Sequence, residues 1–168
     1  AVGSFALPLN TLGEANTAIG SQSMFGNTLG QNNTAVGSSS LFSNVIGIDN
    51  VAVGSDALGN NILGWQNTAV GTSALGSYRP LNPLLTCVAV GFEALTENTT
   101  GFDNVAVGTY SMQNLEIGTG NVAVGHNTLR FNILGSANVA VGQDALQRNL
   151  ANQNTAVGFS SCYNNLSG

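Results

Sequence analysis

The stretch Asn121-Val122-Ala123-Val124-Gly125 decides the fold, because the chain repeats it at a fixed interval. Asn104-Val105-Ala106-Val107-Gly108 stands 17 residues before it, and Asn138-Val139-Ala140-Val141-Gly142 stands 17 residues after it. The tripeptide Ala-Val-Gly, once Ala-Ile-Gly, ends at Gly3, Gly20, Gly37, Gly54, Gly71, Gly91, Gly108, Gly125, Gly142 and Gly158. The steps between these glycines are 17 residues except for one of 20 and one of 16. A short fixed period means stacked units, each too small to bury a core by itself. Function is therefore sought along columns of equivalent residues.

The residue before each glycine is β-branched, from Val2 and Ile19 to Val157, and the residue before that is always Ala. Thr or Val precedes the Ala, as at Thr17, Thr34, Val51 and Thr68. This alternation predicts a short strand with two unlike faces, one of Thr/Val and Val, the other of Ala and Gly only. Small residues at every level imply that another backbone comes close. Ala52, Ala106 and Ala123, with Gly54, Gly108 and Gly125, are accordingly expected to pack against a neighbouring chain. A second apolar column follows, as Leu7, Met24, Leu41, Leu58, Leu75, Leu95, Met112, Leu129 and Leu146, ending in Cys162. A second glycine column, Gly13, Gly30, Gly47, Gly64, Gly101, Gly118, Gly135 and Gly168, suits a turn with positive φ. Asn opens most repeats, from Asn16 to Asn154, and stacked Asn side chains can form a hydrogen-bonded ladder.

These columns predict an all-β, parallel β-solenoid of ten coils of about 17 residues. Each coil is expected to hold two short strands and two turns. At about 4.8 Å per coil the rod would be about 48 Å long. Two helices and their turns do not fit in such a repeat, and Gly, Asn and Val disfavour helix. The whole of residues 1–168 reads as a single domain with an irregular repeat at 76–86, where Pro80 and Pro83 mark a loop.

Composition narrows the function classes. Only 7% of residues are charged, against roughly 25% in an ordinary soluble domain. The net charge of −5 is spread thinly, and Arg79, Arg130 and Arg148 form no basic stripe, so nucleic acid is not the expected partner. No apolar run is long enough to insert in a membrane as a helix. The chain opens inside a repeat at Ala1, as expected of a mature product or of a segment of a longer fibre. Neither end carries a polar capping segment, so open strand edges are expected to stack end to end or to continue into further chain.

Asn-Thr-Ala-Val-Gly, Asn-Val-Ala-Val-Gly and Asn-Thr-Ala-Ile-Gly, followed by Ala-Leu or Ser-Leu, resemble the head repeats of trimeric autotransporter adhesins, the YadA-like heads. Similar repeats occur in phage and viral tail-fibre proteins. The resemblance covers essentially the whole chain. It implies a left-handed parallel β-roll, a homotrimer around one axis, and an extracellular place on a cell or virion surface. It also implies a structural fibre role or, as the alternative, an adhesin or receptor-binding segment that recognises a host protein or glycan.

No residue pattern points to an enzyme, and no cofactor, metal or catalytic group is expected. His126 is the only histidine, no nucleophile motif surrounds any Ser, and Gly118-Thr119-Gly120 is explained by the repeat rather than by a dinucleotide loop. The Thr column is broken by Val51, Val88, Val105, Val122 and Val139, unlike a regular ice-binding array. Cys87 and Cys162 lie more than four coils apart, too far for a bridge within one chain. Cys162, in the Leu column, is expected to be a buried free thiol. Asn32, Asn98 and Asn165 head glycosylation sequons of the kind that an Asn/Thr-rich repeat produces by itself. The two columns after the first glycine vary most and are expected to face solvent. They supply Phe92, Tyr110, His126 and Phe159, which with Tyr78 and Arg79 of the loop are the candidate ligand-facing residues.

Overall fold

The Thr/Val-Ala-Val segment of each repeat is extended and β-branched on one face, and it pairs in parallel with the same segment of the next repeat. The computed structural model describes residues 1–166 of the 168; Ser167 and Gly168, the ends of the Asn165 sequon and of the second glycine column, lie outside the described residues. The strands are β1 (Thr17–Ile19), β2 (Thr34–Val36), β3 (Val51–Val53), β4 (Thr68–Val70), β5 (Cys87–Val90), β6 (Asn104–Val107), β7 (Val122–Val124), β8 (Val139–Val141), β9 (Arg148–Asn149), β10 (Thr155–Val157) and β11 (Asn164–Asn165). Nine of them form one sheet in the order β1-β2-β3-β4-β5-β6-β7-β8-β10, and β9 pairs with β11. The register sets Ala on Ala and Val or Ile on Val at every step, as in Ala18↔Ala35 and Ile19↔Val36. The result is an all-β parallel solenoid of about nine turns, with no helix among the described residues.

The expected second strand is absent from most coils. Two residues after the first glycine and two further on, the backbone turns left-handed, as at Gln22 (φ 58), Met24 (φ 50), Asp56 (φ 57) and Leu58 (φ 49). Such residues cannot continue an extended strand. The coil instead bends through a chain of tight turns that still bond to the next coil, Met24 N–H to the Ser40 carbonyl at 2.9 Å and Gly26 N–H to the Phe42 carbonyl at 2.8 Å. A left-handed conformation costs a non-glycine residue roughly 1–2 kcal/mol. Burial of a Leu or Met side chain, worth roughly 1.5–3 kcal/mol, offsets this at the leucine column.

The alanine face also points elsewhere than expected. Ala52, Ala106 and Ala123 are wholly buried inside their own coil, where they meet the leucine column. At these levels the Ala methyls and the Leu or Met side chains fill this narrow interior together, with no exposure of either. The outward face of the sheet is the β-branched one. Gly54, Gly108 and Gly125 are crowded by the same chain: a Cβ on any of them would lie within 3.0 Å of the glycine of the next coil. Their φ values of 132–137° are also ones that L side chains rarely adopt.

Two carboxamide ladders complete the interior. In the first, Asn33 takes two hydrogen bonds of the next repeat on its Oδ1, from Asn50 N–H at 2.9 Å and Asn50 Nδ2 at 3.0 Å. Its own Nδ2 donates across the coil to the Gly47 carbonyl at 2.7 Å. The second ladder runs through Asn10, Asn27, Asn44 and Asn61, where Asn44 Nδ2 donates to Asn27 Oδ1 at 2.7 Å and to the same Gly47 carbonyl at 3.2 Å. The two ladders meet on the second glycine column. The described glycines of this column, Gly47 among them, do not have the positive φ expected of them; at Gly47 a Cβ would collide with the Asn44 carboxamide and with the Gly64 carbonyl.

Asn44→Ala removes a buried donor and a buried acceptor, leaves Asn27 Oδ1 without its donor and takes from Asn61 Nδ2 one of its two acceptors. We expect a loss of about 3 kcal/mol in chemical denaturation. Ala106→Leu is expected to disrupt the coil itself, whatever the state of assembly, since it overfills an enclosed site. The same assay on the half-buried, outward neighbour Val107→Leu should give a much smaller change.

Candidate binding surface

The variable columns lie on one side of the rod, beyond the strand, and carry its most chemically varied side chains. Phe92, Tyr110 and His126 come together there from three successive coils. The Phe92 and Tyr110 rings meet edge to face at 5.5 Å, and Tyr110 meets His126 at 6.1 Å. Arg130 covers the Tyr110 ring with its guanidinium 4.5 Å from the centroid. It is held there by hydrogen bonds from Nε to Gln113 Oε1 at 2.8 Å and from Nη1 to Asn127 Oδ1 at 3.2 Å. Gln113 in turn donates to Glu93. Phe159 is 75% exposed on a coil further along and does not join this row.

Tyr78 is not ligand-facing. It is wholly buried, because it replaces an Asn of the second ladder, and Cys87 replaces an Asn of the first ladder beside it. The two substitutions compensate: the larger ring takes space that the shorter thiol frees. Tyr78 Oη donates to the Leu85 carbonyl at 2.7 Å and ties down the irregular loop, whose tip exposes Leu81. Cys87 N–H keeps the ladder bond to Asn67 Oδ1 at 2.9 Å, and its thiol donates to the Gly101 carbonyl at 3.4 Å. One coil further on, Leu115 stands in the second ladder where the pattern has Asn, which leaves Asn98 Oδ1 buried without a donor. Arg79 is exposed, and its Nη2 donates to Asn60 Oδ1 at 3.0 Å. Of the sequons, Asn98 is enclosed in the ladder and Asn32 is exposed.

Arg79 and Asn60 stand at the rim of a groove of about 480 Å³ that crosses five coils. Its floor is Gly59 and Gly76. Other repeats carry Phe25, Phe42, Gln113, Arg130 or Gln147 at the same place. Phe25 and Phe42 stack with their centroids 5.2 Å apart and their planes 9° from parallel. Gly59 ends that stack, so the far face of Phe42 opens into the groove. Ser39, Asp56, Asn60, Ser73 and Ser77 line it with polar side chains. The sequence reading missed this groove. The signal was present as two Phe and then two Gly at one repeat position, in a column not read out. No set of three or more potential metal ligands and no membrane-crossing helix occurs among the described residues.

Comparison with protein-family models, with curated proteins and with solved structures finds no match to this chain.

The two cysteines have opposite environments. Both are free, but Cys162, in the last coil of the described residues, is exposed rather than buried as expected. Cys87 is buried, and desolvation pushes its thiol up from 9.0 to about 11, with the ladder hydrogen bonds opposing. Burial also raises the Tyr78 phenol above its ordinary 10.0. Both folded values lie above the unfolded ones. The stability they contribute is therefore complete below about pH 9 and declines as the pH rises from 9 toward 11, where the unfolded chain ionises first. Native protein should react with a thiol reagent at Cys162 alone. Cys87→Ser should flatten the alkaline decline measured by denaturation between those pH values.

Proposed function

We propose that this chain is a structural, non-enzymatic segment of an extracellular fibre, built as a homotrimer of left-handed β-rolls. The observation that carries the reading is the outer face of the nine-stranded sheet. It is a continuous field of Val, Ile and Thr in which Ile19 is 44% exposed and Val51, Val124, Val139 and Val141 stay more than a third exposed. No charged residue interrupts it from β1 to β8 and in β10. A soluble monomer seldom leaves so long an apolar face bare, and a rod with such a face gains by pairing it with copies of itself. The adhesin-type head repeats that the sequence resembles are consistent with this assembly. The alternative role, recognition of a host protein or glycan, is favoured by the Phe92–Tyr110–His126 row with its fixed Arg130.

Light scattering, with negative-stain images of the same sample, tests assembly. A discrete mass of three chains is expected; a stable monomer would count against the proposal. Val107→Lys and Val124→Lys place charges on the outer face without touching the ladders. They should yield folded single chains with the same β-sheet circular dichroism.

A further inference from the structure

We propose that the groove floored by Gly59 and Gly76 is a binding site for a neutral saccharide, and that a pyranose ring lies against Phe42 in the place of the missing third phenyl ring. The argument begins with the stack. Phe25 and Phe42 occupy one repeat position in successive coils, nearly parallel, with their spacing set by the coil rise. The next two coils carry Gly there, so one face of Phe42 is left without a partner over two coil steps, about 10 Å. That space accepts one or two rings stacked along the rod axis. The glycines are not imposed by the backbone. Neither has a left-handed φ, and the nearest atoms to a Cβ on Gly59 or Gly76 lie at 3.2 Å, so a side chain is tolerated with slight adjustment.

The walls select the chemistry of the ring. They present the hydroxyls of Ser39, Ser73 and Ser77, the Asp56 carboxylate and the Asn60 carboxamide. The three serine hydroxyls are engaged by no other side chain among the described residues. Asn60 is fixed by Arg79 and by its own bond from Nδ2 to the Gly76 carbonyl at 2.7 Å. Adjacent hydroxyls on a sugar match a carboxylate acceptor and hydroxyl partners that both donate and accept, while the C–H face of a pyranose packs on an aromatic ring. A peptide's aromatic side chain would use Phe42 but leave these polar groups unpaired, which is costly. A phosphate or sulfate ester would meet Asp56 at close range. The groove lies on the solvent side of the turns and needs no second copy of the chain, so this inference stands apart from the trimer.

The test uses the intact chain with a panel of methyl pyranosides and their disaccharides, read by saturation-transfer NMR and then by calorimetry. The blocking variant is Gly59→Phe, which continues a stack the fold already holds at Phe25 and Phe42. Gly76→Gln, copying Gln113 and Gln147, is the second blocking variant should the first alter the thermal unfolding. We expect saturation transfer to the ring protons of at least one saccharide and a loss of affinity of about tenfold or more in a folded blocking variant. Asp56→Asn should also weaken binding. Failure of the whole panel to bind the wild-type chain would overturn the proposal. So would undiminished binding in both blocking variants, or binding confined to aromatic peptides.

Discussion

Each coil of this protein can exist only because the next coil lies directly on it. The physical constraint is stacking at the β-sheet spacing, about 4.8 Å, and every interior group is chosen to satisfy it. The strand hydrogen bonds run from coil to coil, and so do those of the turns. Where the Asn columns are unbroken, each carboxamide accepts from the coil on one side and donates toward the other, as at Asn44 and Asn33. A buried amide costs free energy when unpaired and contributes when paired, so a ladder with a member missing loses on both neighbours. Glycine is needed at two positions per coil for the same reason. One glycine stacks on the glycine of the next coil, and the other sits where the two ladders converge.

Given that constraint, the core is narrow and its composition follows. One Ala and one Leu or Met per coil fill the apolar interior, and Ser, Thr or Ala beside the Leu closes the turn. The Leu residues accept a left-handed backbone because this is the geometry that carries a long side chain into the centre from a turn. Hydrophobic burial is thus secured by a conformation that intrinsic preference opposes. Cooperation between coils makes this possible, since the backbone bonds on both sides hold each turn in place.

The exterior is free of these demands, and there the repeats differ from one another. The aromatic row at Phe92, Tyr110 and His126, the loop held by Tyr78 and the groove over Gly59 and Gly76 are all departures from the repeat. Tyr78 shows why a departure is not by itself a surface feature. It looks like a loop aromatic in the sequence, yet it is buried because Cys87 makes room for it in the neighbouring ladder. Arg79, its neighbour, is exposed.

The sequence by itself determined the period, the parallel pairing, the Ala-on-Ala register and the first Asn ladder. Each of these needs one residue type at every level, and a fixed spacing states that directly. The second Asn column, Asn10 through Asn61, was equally legible at the same spacing and was overlooked. What only the tertiary structure decided was direction. Alternation along Val105-Ala106-Val107 separates two faces but does not say which one points inward. The answer lies in how the coil closes, which sets the Ala methyls against the leucine column and leaves the β-branched side chains outside. The same holds for the turns, where Gln22 and Met24 give no propensity signal for a left-handed backbone. It holds as well for Phe42, whose open face depends on Gly59 lying directly above it, and that proximity exists only once the chain is wound.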